Sequence, residues 1–146
     1  MVDVSTTIVI QRPVAVVSSF AADPDNAPRW YANITAVEWR TPRPVATGSR
    51  VAFIAQFLGR RIAYTYEFSE YVPGSFLRMR TVDGPFPMET TYLWEALPGD
   101  ATRMTLRNRG DPKGFGWLVA PLVAFAMRRE NRKDLARLKQ RLEEQS

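Results

Sequence analysis

The chain has 146 residues, 45% of them hydrophobic and 24% charged, with a formal net charge of +5. That is one domain's length with enough apolar residues for a core, which sets aside disordered and fibrous classes. It contains no cysteine and no histidine, so disulfide frameworks, thiolate nucleophiles, thiolate zinc sites, serine-histidine-aspartate hydrolases and facial-triad iron sites are excluded.

The N-terminal stretch Met1 to Thr7 has no basic region followed by an apolar core, so no secretory signal is read and a cytoplasmic location is expected. Thr7-Ile8-Val9-Ile10-Gln11 is β-branched and predicts a strand, after which Pro13 opens a short helix to Phe20 with Val17 and Phe20 inward. Asp23-Pro24 repeats the cap-and-proline signal for a second short helix ending near Trp30 and Tyr31. From Ile34 onward, turn markers at Pro42 to Gly48, Gly59-Arg60, Pro73-Gly74, Asp83-Gly84-Pro85 and Pro98-Gly99-Asp100 separate six β-rich segments, the rhythm of an antiparallel meander. Gly59-Arg60, glycine first, is read as the turn joining Val51–Leu58 to Ile62–Tyr71.

Alternation then assigns faces, because side chains along a strand point to opposite sides in turn. Tyr64, Tyr66 and Phe68 share one side and Thr65, Glu67 and Ser69 the other. Leu77, Met79 and Thr81 oppose Arg78 and Arg80; Met88, Thr90, Tyr92 and Trp94 oppose Glu89, Thr91, Leu93 and Glu95; Met104, Leu106 and Asn108 oppose Arg103, Arg107 and Arg109. Arginine marks the wet face. Gly114 to about Glu144 reads as one long amphipathic helix, capped by Asp111-Pro112, with Phe115, Leu118, Val119, Leu122, Phe125, Ala126, Leu135, Leu138 and Leu142 as its inner residues and Pro121 as a site for a kink. Its apolar run from Gly114 to Met127 falls short of the roughly 20 residues a bilayer span needs. The 17 arginines and 3 lysines are spread over strands and interleaved with acids on the helix, so a solvated surface is favoured over a nucleic-acid site.

Trp30 after Asp23-Pro24, the Gly59 hairpin, Tyr71 before Pro73, Gly84-Pro85-Phe86-Pro87 leading into Tyr92 and Trp94-Glu95, and then Gly99-Asp100-Ala101-Thr102-Arg103 occur in one collinear order. In that order the chain resembles the helix-grip fold of the START and birch-pollen-allergen-like superfamily (SRPBCC), in its bacterial polyketide cyclase/dehydrase-type branch. The resemblance implies a single α+β domain over residues 1–146, with a curved seven-stranded antiparallel sheet round a long C-terminal helix and two short helices after the first strand. It also implies a cavity for lipids, sterols, polyketides or other hydrophobic ligands. It implies no reaction, since cyclases, dehydratases, transport proteins, hormone receptors and quinone-binding chaperones share the fold.

The expected ligand wall is Trp30, Tyr64, Tyr66, Met79, Thr81, Met88, Thr90, Tyr92, Met104 and Asn108 from the short helix and sheet, with Phe115, Leu118, Val119 and Leu122 from the long helix. The tyrosines either stack on a flat ligand or fill the core; the methionines either form a deformable wall or fill gaps. Trp30 either stands at the cavity mouth with Tyr31 or plugs a corner, and the plug is favoured. Thr90 and Asn108 are candidates to orient a ligand, although an inward amide or hydroxyl is more often satisfied by backbone or water. If the chain is an enzyme, Tyr64, Tyr66 and Tyr92 are the candidate proton donors. Glu89 reaches the interior only through a bulge, and pairing with Arg103 or Arg107 across the strands is favoured.

The leading expectation is a binding protein for a hydrophobic, ring-containing small molecule, with no cofactor and no metal. The alternatives are a cofactor-independent cyclase or dehydratase, and a protein-partner or stress-related module without a small ligand. Nucleic acid and peripheral membrane contact are the less favoured partners, and the oligomeric state, a dimer included, is left open.

Overall fold

A computed structural model describes residues 2–57, 59–84, 87–110 and 120–145. In chain order it contains β1 (Val2–Ile10), α1 (Val14–Ala22), a single 3-10 turn (Pro24–Asn26), α2 (Ala27–Trp30), β2 (Ile34–Trp39), β3 (Arg50–Phe57), β4 (Arg60–Val72), β5 (Phe76–Asp83), β6 (Met88–Leu97), β7 (Ala101–Gly110) and α3 (Ala120–Glu144). The strands form one antiparallel sheet in the order β1-β7-β6-β5-β4-β3-β2. Consecutive strands pair from β2 to β7, and β1 returns beside β7 to make the second edge. Register shifts at Ile34/Ala36, Thr65/Tyr66 and Phe68/Glu70 insert unpaired residues that bend the sheet.

Two local expectations are corrected. β1 begins at Val2 rather than Thr7, its first half being the alternation Val2, Val4 inward with Asp3, Ser5 outward. In the β3–β4 hairpin Phe57 pairs with Arg60, so Gly59, at φ 77°, is the second residue of the connection and not the first. Gly84 lies over an aromatic ring: a Cβ there would come 2.7 Å from Tyr64 Cδ1, so the β5–β6 turn needs glycine to pass across Tyr64.

The concave face and α3 enclose the core. Ile10, Val17, Trp30, Val51, Phe68, Leu77, Met104, Leu106, Leu135, Leu138 and Leu142 are all within 1% of full burial. α3 lies along β1 and touches α2, and its C-terminal turns close the β1 edge: Lys139 Nζ donates to Val9 O at 2.8 Å and Gln11 N donates to Glu143 Oε2 at 2.8 Å. Backbone groups on an edge strand invite pairing with another chain, and here α3 side chains take up one at the end of β1, Val9 O, and the next N–H beyond it, that of Gln11. Arg12 Nη1 donates to Leu142 O at 2.8 Å, satisfying a carbonyl of the last helical turn.

The convex face carries a charge ladder. In direct cross-strand register, Arg50 opposes Glu67, Glu67 opposes Arg80, Arg80 opposes Glu89, Glu89 opposes Arg109, and Arg109 opposes Asp3. The separations are 2.8 Å for Arg50–Glu67, 3.5 Å for Arg80–Glu67, 3.9 Å for Arg109–Glu89 and 3.8 Å for Arg109–Asp3. Signs alternate across six strands, so the arginines of this face are largely neutralised by their neighbours. A face of that kind does not present the concentrated positive field that a nucleic-acid site requires.

The long helix departs most from expectation. Residues 111–119, including Phe115, Leu118 and Val119 and the Asp111-Pro112 cap, lie outside the described residues; Pro121 is the second residue of the described helix. Leu122 and Phe125 are 69% and 64% exposed, and Ala126 is exposed as well. The reason is angular. At roughly 100° per residue, Leu122 lies about 140° from Leu135 and about 160° from Leu138 round the helix, so these residues do not share a face. The buried stripe runs through Asn131, Asp134, Leu135, Leu138 and Leu142.

Candidate functional site

Along the concave face, burial changes from one end of the sheet to the other. Leu77, Phe68, Trp94 and Met104 are sealed beneath α1, α2 and the C-terminal half of α3, whereas Tyr64, Tyr66, Thr81 and Met88 keep partial exposure toward the end where β7 stops. Between these regions lies a band of polar groups that β pairing places side by side. Thr90 opposes Met79 on β5 and Asn108 on β7. Thr90 Oγ1 donates to Asn108 Oδ1 at 2.7 Å, and both residues are buried. Tyr66 also interacts with the Thr90 hydroxyl, which thus stands between Tyr66 and Asn108. The Thr90 hydroxyl and the Asn108 side-chain oxygen thus meet each other.

A second polar cluster ties α2 to α3 and β6. Tyr31 Oη and Tyr92 Oη are 2.5 Å apart. Ala32 N donates to Asp134 Oδ1 at 3.1 Å, Arg137 Nη1 donates to Trp30 O at 3.2 Å, and Arg137 Nη1 stands 3.9 Å from Asp134 Oδ1. Aromatic rings pack round this cluster. Trp30 and Tyr31 have centroids 4.0 Å apart, Trp30 and Tyr92 5.8 Å, and Tyr92 and Trp94 5.9 Å. Nearer the open end, Phe53 and Tyr66 meet edge to face at 5.6 Å and Tyr64 lies 6.3 Å from Tyr66.

Burial sets the protonation of these groups. Desolvation pushes Tyr66 up to about 12, the Thr90 hydrogen bond opposing it. It raises Tyr31 and Tyr92 well above the ordinary phenol value, and raises the half-buried Tyr64 too. At neutral pH all four are therefore hydrogen-bond donors and none is a phenolate. Desolvation also lifts the Asp134 carboxyl to about 6, outweighing the Ala32 N–H and the Arg137 charge that pull it down. Among the described residues Asp134 is the buried carboxylate of the concave side, only 4% exposed. Trp30 Nε1, Trp94 Nε1 and Asn131 Nδ2 are buried with no hydrogen-bond partner among the described residues.

The expected wall residues fall into three groups. Tyr64, Tyr66, Met79, Thr90, Tyr92, Met104 and Asn108 all lie on the concave side, with Trp30 fully buried behind Tyr92, in the position of a plug. Thr81 and Met88 lie at the open end, but Thr81 Oγ1 is taken up by the Met88 backbone, accepting from its N–H at 2.9 Å. Leu122 points away from the site, on the outer face of α3. Glu89 stands on the convex face, 3.8 Å from Arg78 and 3.9 Å from Arg109, and no bulge turns it inward; these two arginines are its ion-pair partners, Arg107 attracts it from farther off, and Arg103 pairs with Glu95 instead. A hollow of about 320 Å³ at the rim is bounded by Arg80, Thr81, Pro87, Met88, Glu89, Arg109 and Gly110. Among the described residues no cluster of three or more carboxylate, histidine or cysteine ligands could hold a metal.

Asp134 and Asn131 are absent from the sequence-based wall. Their signal is present in the sequence: both fall at helical spacing on the stripe of Leu135, Leu138 and Leu142, where a polar residue is buried by its neighbours. Tyr31 stands beside Trp30 in the chain, but its phenol partner on β6 is a tertiary contact that spacing does not encode.

The fold matches solved structures closely at low identity. A protein from Thermus thermophilus, TTHA0849, is 21% identical with a TM-score of 0.83 over 99% of both chains. The Zhui aromatase/cyclase from Streptomyces sp. R1128 is 15% identical with a TM-score of 0.80, covering 97% of this chain and 93% of that one. A START superfamily protein from Mycobacterium smegmatis is 16% identical with a TM-score of 0.78 over 99% of both chains. No curated protein matches the sequence. Residues 1–143 match the family model described as polyketide cyclase / dehydrase and lipid transport, and with a helix-grip fold throughout, the chain belongs to that family.

Proposed function

We propose that the protein binds a hydrophobic, ring-containing small molecule bearing carbonyl or hydroxyl oxygens, held between the tyrosine-rich end of the concave face and α3. The observation that carries this reading is the open end of the concave face, where Tyr64, Tyr66, Thr81 and Met88 stay partly exposed next to the Tyr31–Tyr92 pair, whose phenols remain protonated and share one hydrogen bond. Two phenol hydrogens meet in one hydrogen bond there, and a buried donor without an acceptor costs about 1–3 kcal/mol, so the pair is suited to a guest that supplies an acceptor. Rings of the guest stack on Tyr64 and Tyr66, and an oxygen of it accepts from whichever of Tyr31 and Tyr92 does not donate to the other. The test is native mass spectrometry of the purified protein, followed by titration with flat polyphenols, sterols and long-chain fatty acids. Tyr66→Phe and Asn108→Ala are expected to weaken binding of an oxygenated ring compound; unchanged affinity in both dismisses these anchors.

One observation favours an enzymatic second reading. The Asp134 carboxyl, near 6, is poised to exchange a proton at neutral pH and couples electrostatically to Tyr31 and Tyr92. A cofactor-independent cyclase or dehydratase would use such a pair, the carboxylate taking a proton and a phenol giving one. Turnover of a poly-β-ketone thioester that disappears in Asp134→Asn while binding persists supports it; binding without turnover in the parent protein leaves the carrier reading.

A further inference from the structure

The first two turns of α3 present a surface that neither the core nor the ligand site uses. Leu122 and Phe125, one turn apart, are 69% and 64% exposed, with exposed Pro121 and Ala126 beside them. The same outer stripe continues into Arg129, Arg132 and Lys133, all exposed. Among the described residues the ion pairs of the helix are Arg137–Asp134 and Lys139–Glu143; Arg129 and Arg132 enter none, and Lys133 has only a longer-range attraction to the buried Asp134. Between Ala120 and Lys133 the single acid is Glu130. The β3–β4 hairpin turns at the end of the sheet where β7 stops, the end toward which α3 starts, because the helix C-terminus is pinned at the other end by Val9 and Gln11. That hairpin adds exposed Arg60 and Arg61.

We infer that this end of the molecule docks on an anionic lipid bilayer, Leu122 and Phe125 entering the acyl boundary while Arg129, Arg132 and Lys133 meet the headgroups. An exposed apolar pair continued by unpaired cations on one helical stripe matches the interface between lipid tails and anionic headgroups. Charge argues against a second copy as the occupant. A two-fold contact laying this stripe parallel to its own copy would set Arg129, Arg132 and Lys133 beside their equivalents, where like charges repel, whereas an anionic headgroup layer offers them opposite charge. The convex face is no rival, since its arginines are paired with acids along the ladder. The surface stands on its own observations and does not require the ligand reading above.

The experiment is co-sedimentation of the full chain with sucrose-loaded vesicles of phosphatidylcholine alone or with phosphatidylglycerol. Binding is expected to the mixed vesicles only, and to be weakened by high salt. The Leu122→Ser/Phe125→Ser double variant is expected to bind more than about tenfold more weakly, with an unchanged circular dichroism spectrum because both side chains lie outside the core. Arg129→Gln, Arg132→Gln and Lys133→Gln are each expected to weaken it roughly fivefold. No binding by the parent protein, equal binding to phosphatidylcholine alone, or undiminished binding by the double variant overturns the inference. So does a concentration-dependent dimer in sedimentation velocity that the double variant abolishes, since the patch would then belong to a second copy. Small-molecule affinity, measured without vesicles, reports separately on the ligand site.

Discussion

On the convex face of the sheet, Arg50, Glu67, Arg80, Glu89, Arg109 and Asp3 keep their charges by neutralising one another in contact with water. On the concave face, Tyr31, Tyr66, Thr90, Tyr92 and Asn108 are polar without charge, and the one carboxylate among them, Asp134, is held near 6. The strands that carry both faces are the same, and only the side differs. The convex groups are solvated and individually dispensable, whereas each concave group is desolvated and depends on a named partner. Chemistry and recognition are therefore sought on the side where polarity is costly, despite the arginine content that dominates the composition.

The largest expected effect tests the concave core directly. Trp30→Ala empties a fully buried site beneath Tyr31 and Tyr92 and is expected to cost about 3–5 kcal/mol, read from urea unfolding. A loss well below this would mean that Trp30 lines open space and is not a plug. Next comes Asp134. Its folded pKa of about 6 lies above the ordinary aspartate value of 3.8, so the folded protein binds the proton more tightly. Stability from this group therefore falls as pH rises from about 4 to about 6, and stays lowered above that window. Asp134→Asn removes the effect and is expected to stabilise the protein at pH 7 by about 2–3 kcal/mol, with little change at pH 4. A variant less stable at pH 7 would show that the charged form is sheltered by groups other than Ala32 and Arg137.

The convex carboxylates run the opposite way. Arg107 holds Asp3 below its ordinary value and Arg50 does the same for Glu67, so their contribution is present at neutral pH and is lost as pH falls through the acid range below about 4. A pH–stability profile of Asp134→Asn should retain this acid limb while losing the decline between about 4 and 6. Thr90→Val is smaller. It leaves the Asn108 carbonyl oxygen and the Tyr66 hydroxyl without their shared partner and is expected to cost about 1–3 kcal/mol, accompanied by altered Tyr66 absorbance. Smallest is Glu95→Gln, which loosens an exposed pair 3.6 Å from Arg103; no shift of the urea midpoint is expected, and a clear loss would break the contrast between the faces.

Much of this is legible in the residues. The inward positions of Tyr64, Tyr66, Met79, Thr90, Tyr92, Met104 and Asn108, and the outward positions of Glu67, Glu89 and Glu95, follow from alternation. The collinear turn markers and the resemblance they carry predict the seven strands and the closing helix. The departures lie on the long helix. Counting apolar residues along it groups Leu122 and Phe125 with Leu135 and Leu138, because such a count does not sum the angle between distant turns. The same count passes over Asp134, since a charged residue adds nothing to an apolar stripe even where its spacing puts it there.

What the sequence by itself determined is direction: a strand's pleat and a helix's turn are properties of the local backbone, so which residues share a face is written in their order. Partnership was decided by the tertiary structure. Thr90 meets Asn108 only through the β6–β7 register, Tyr31 meets Tyr92 only when α2 docks under α3, and Asp134 is desolvated only by that docking. These contacts join residues 18, 61 and 102 positions apart, and the energies that set them, desolvation above all, exist only once the intervening chain has folded around them.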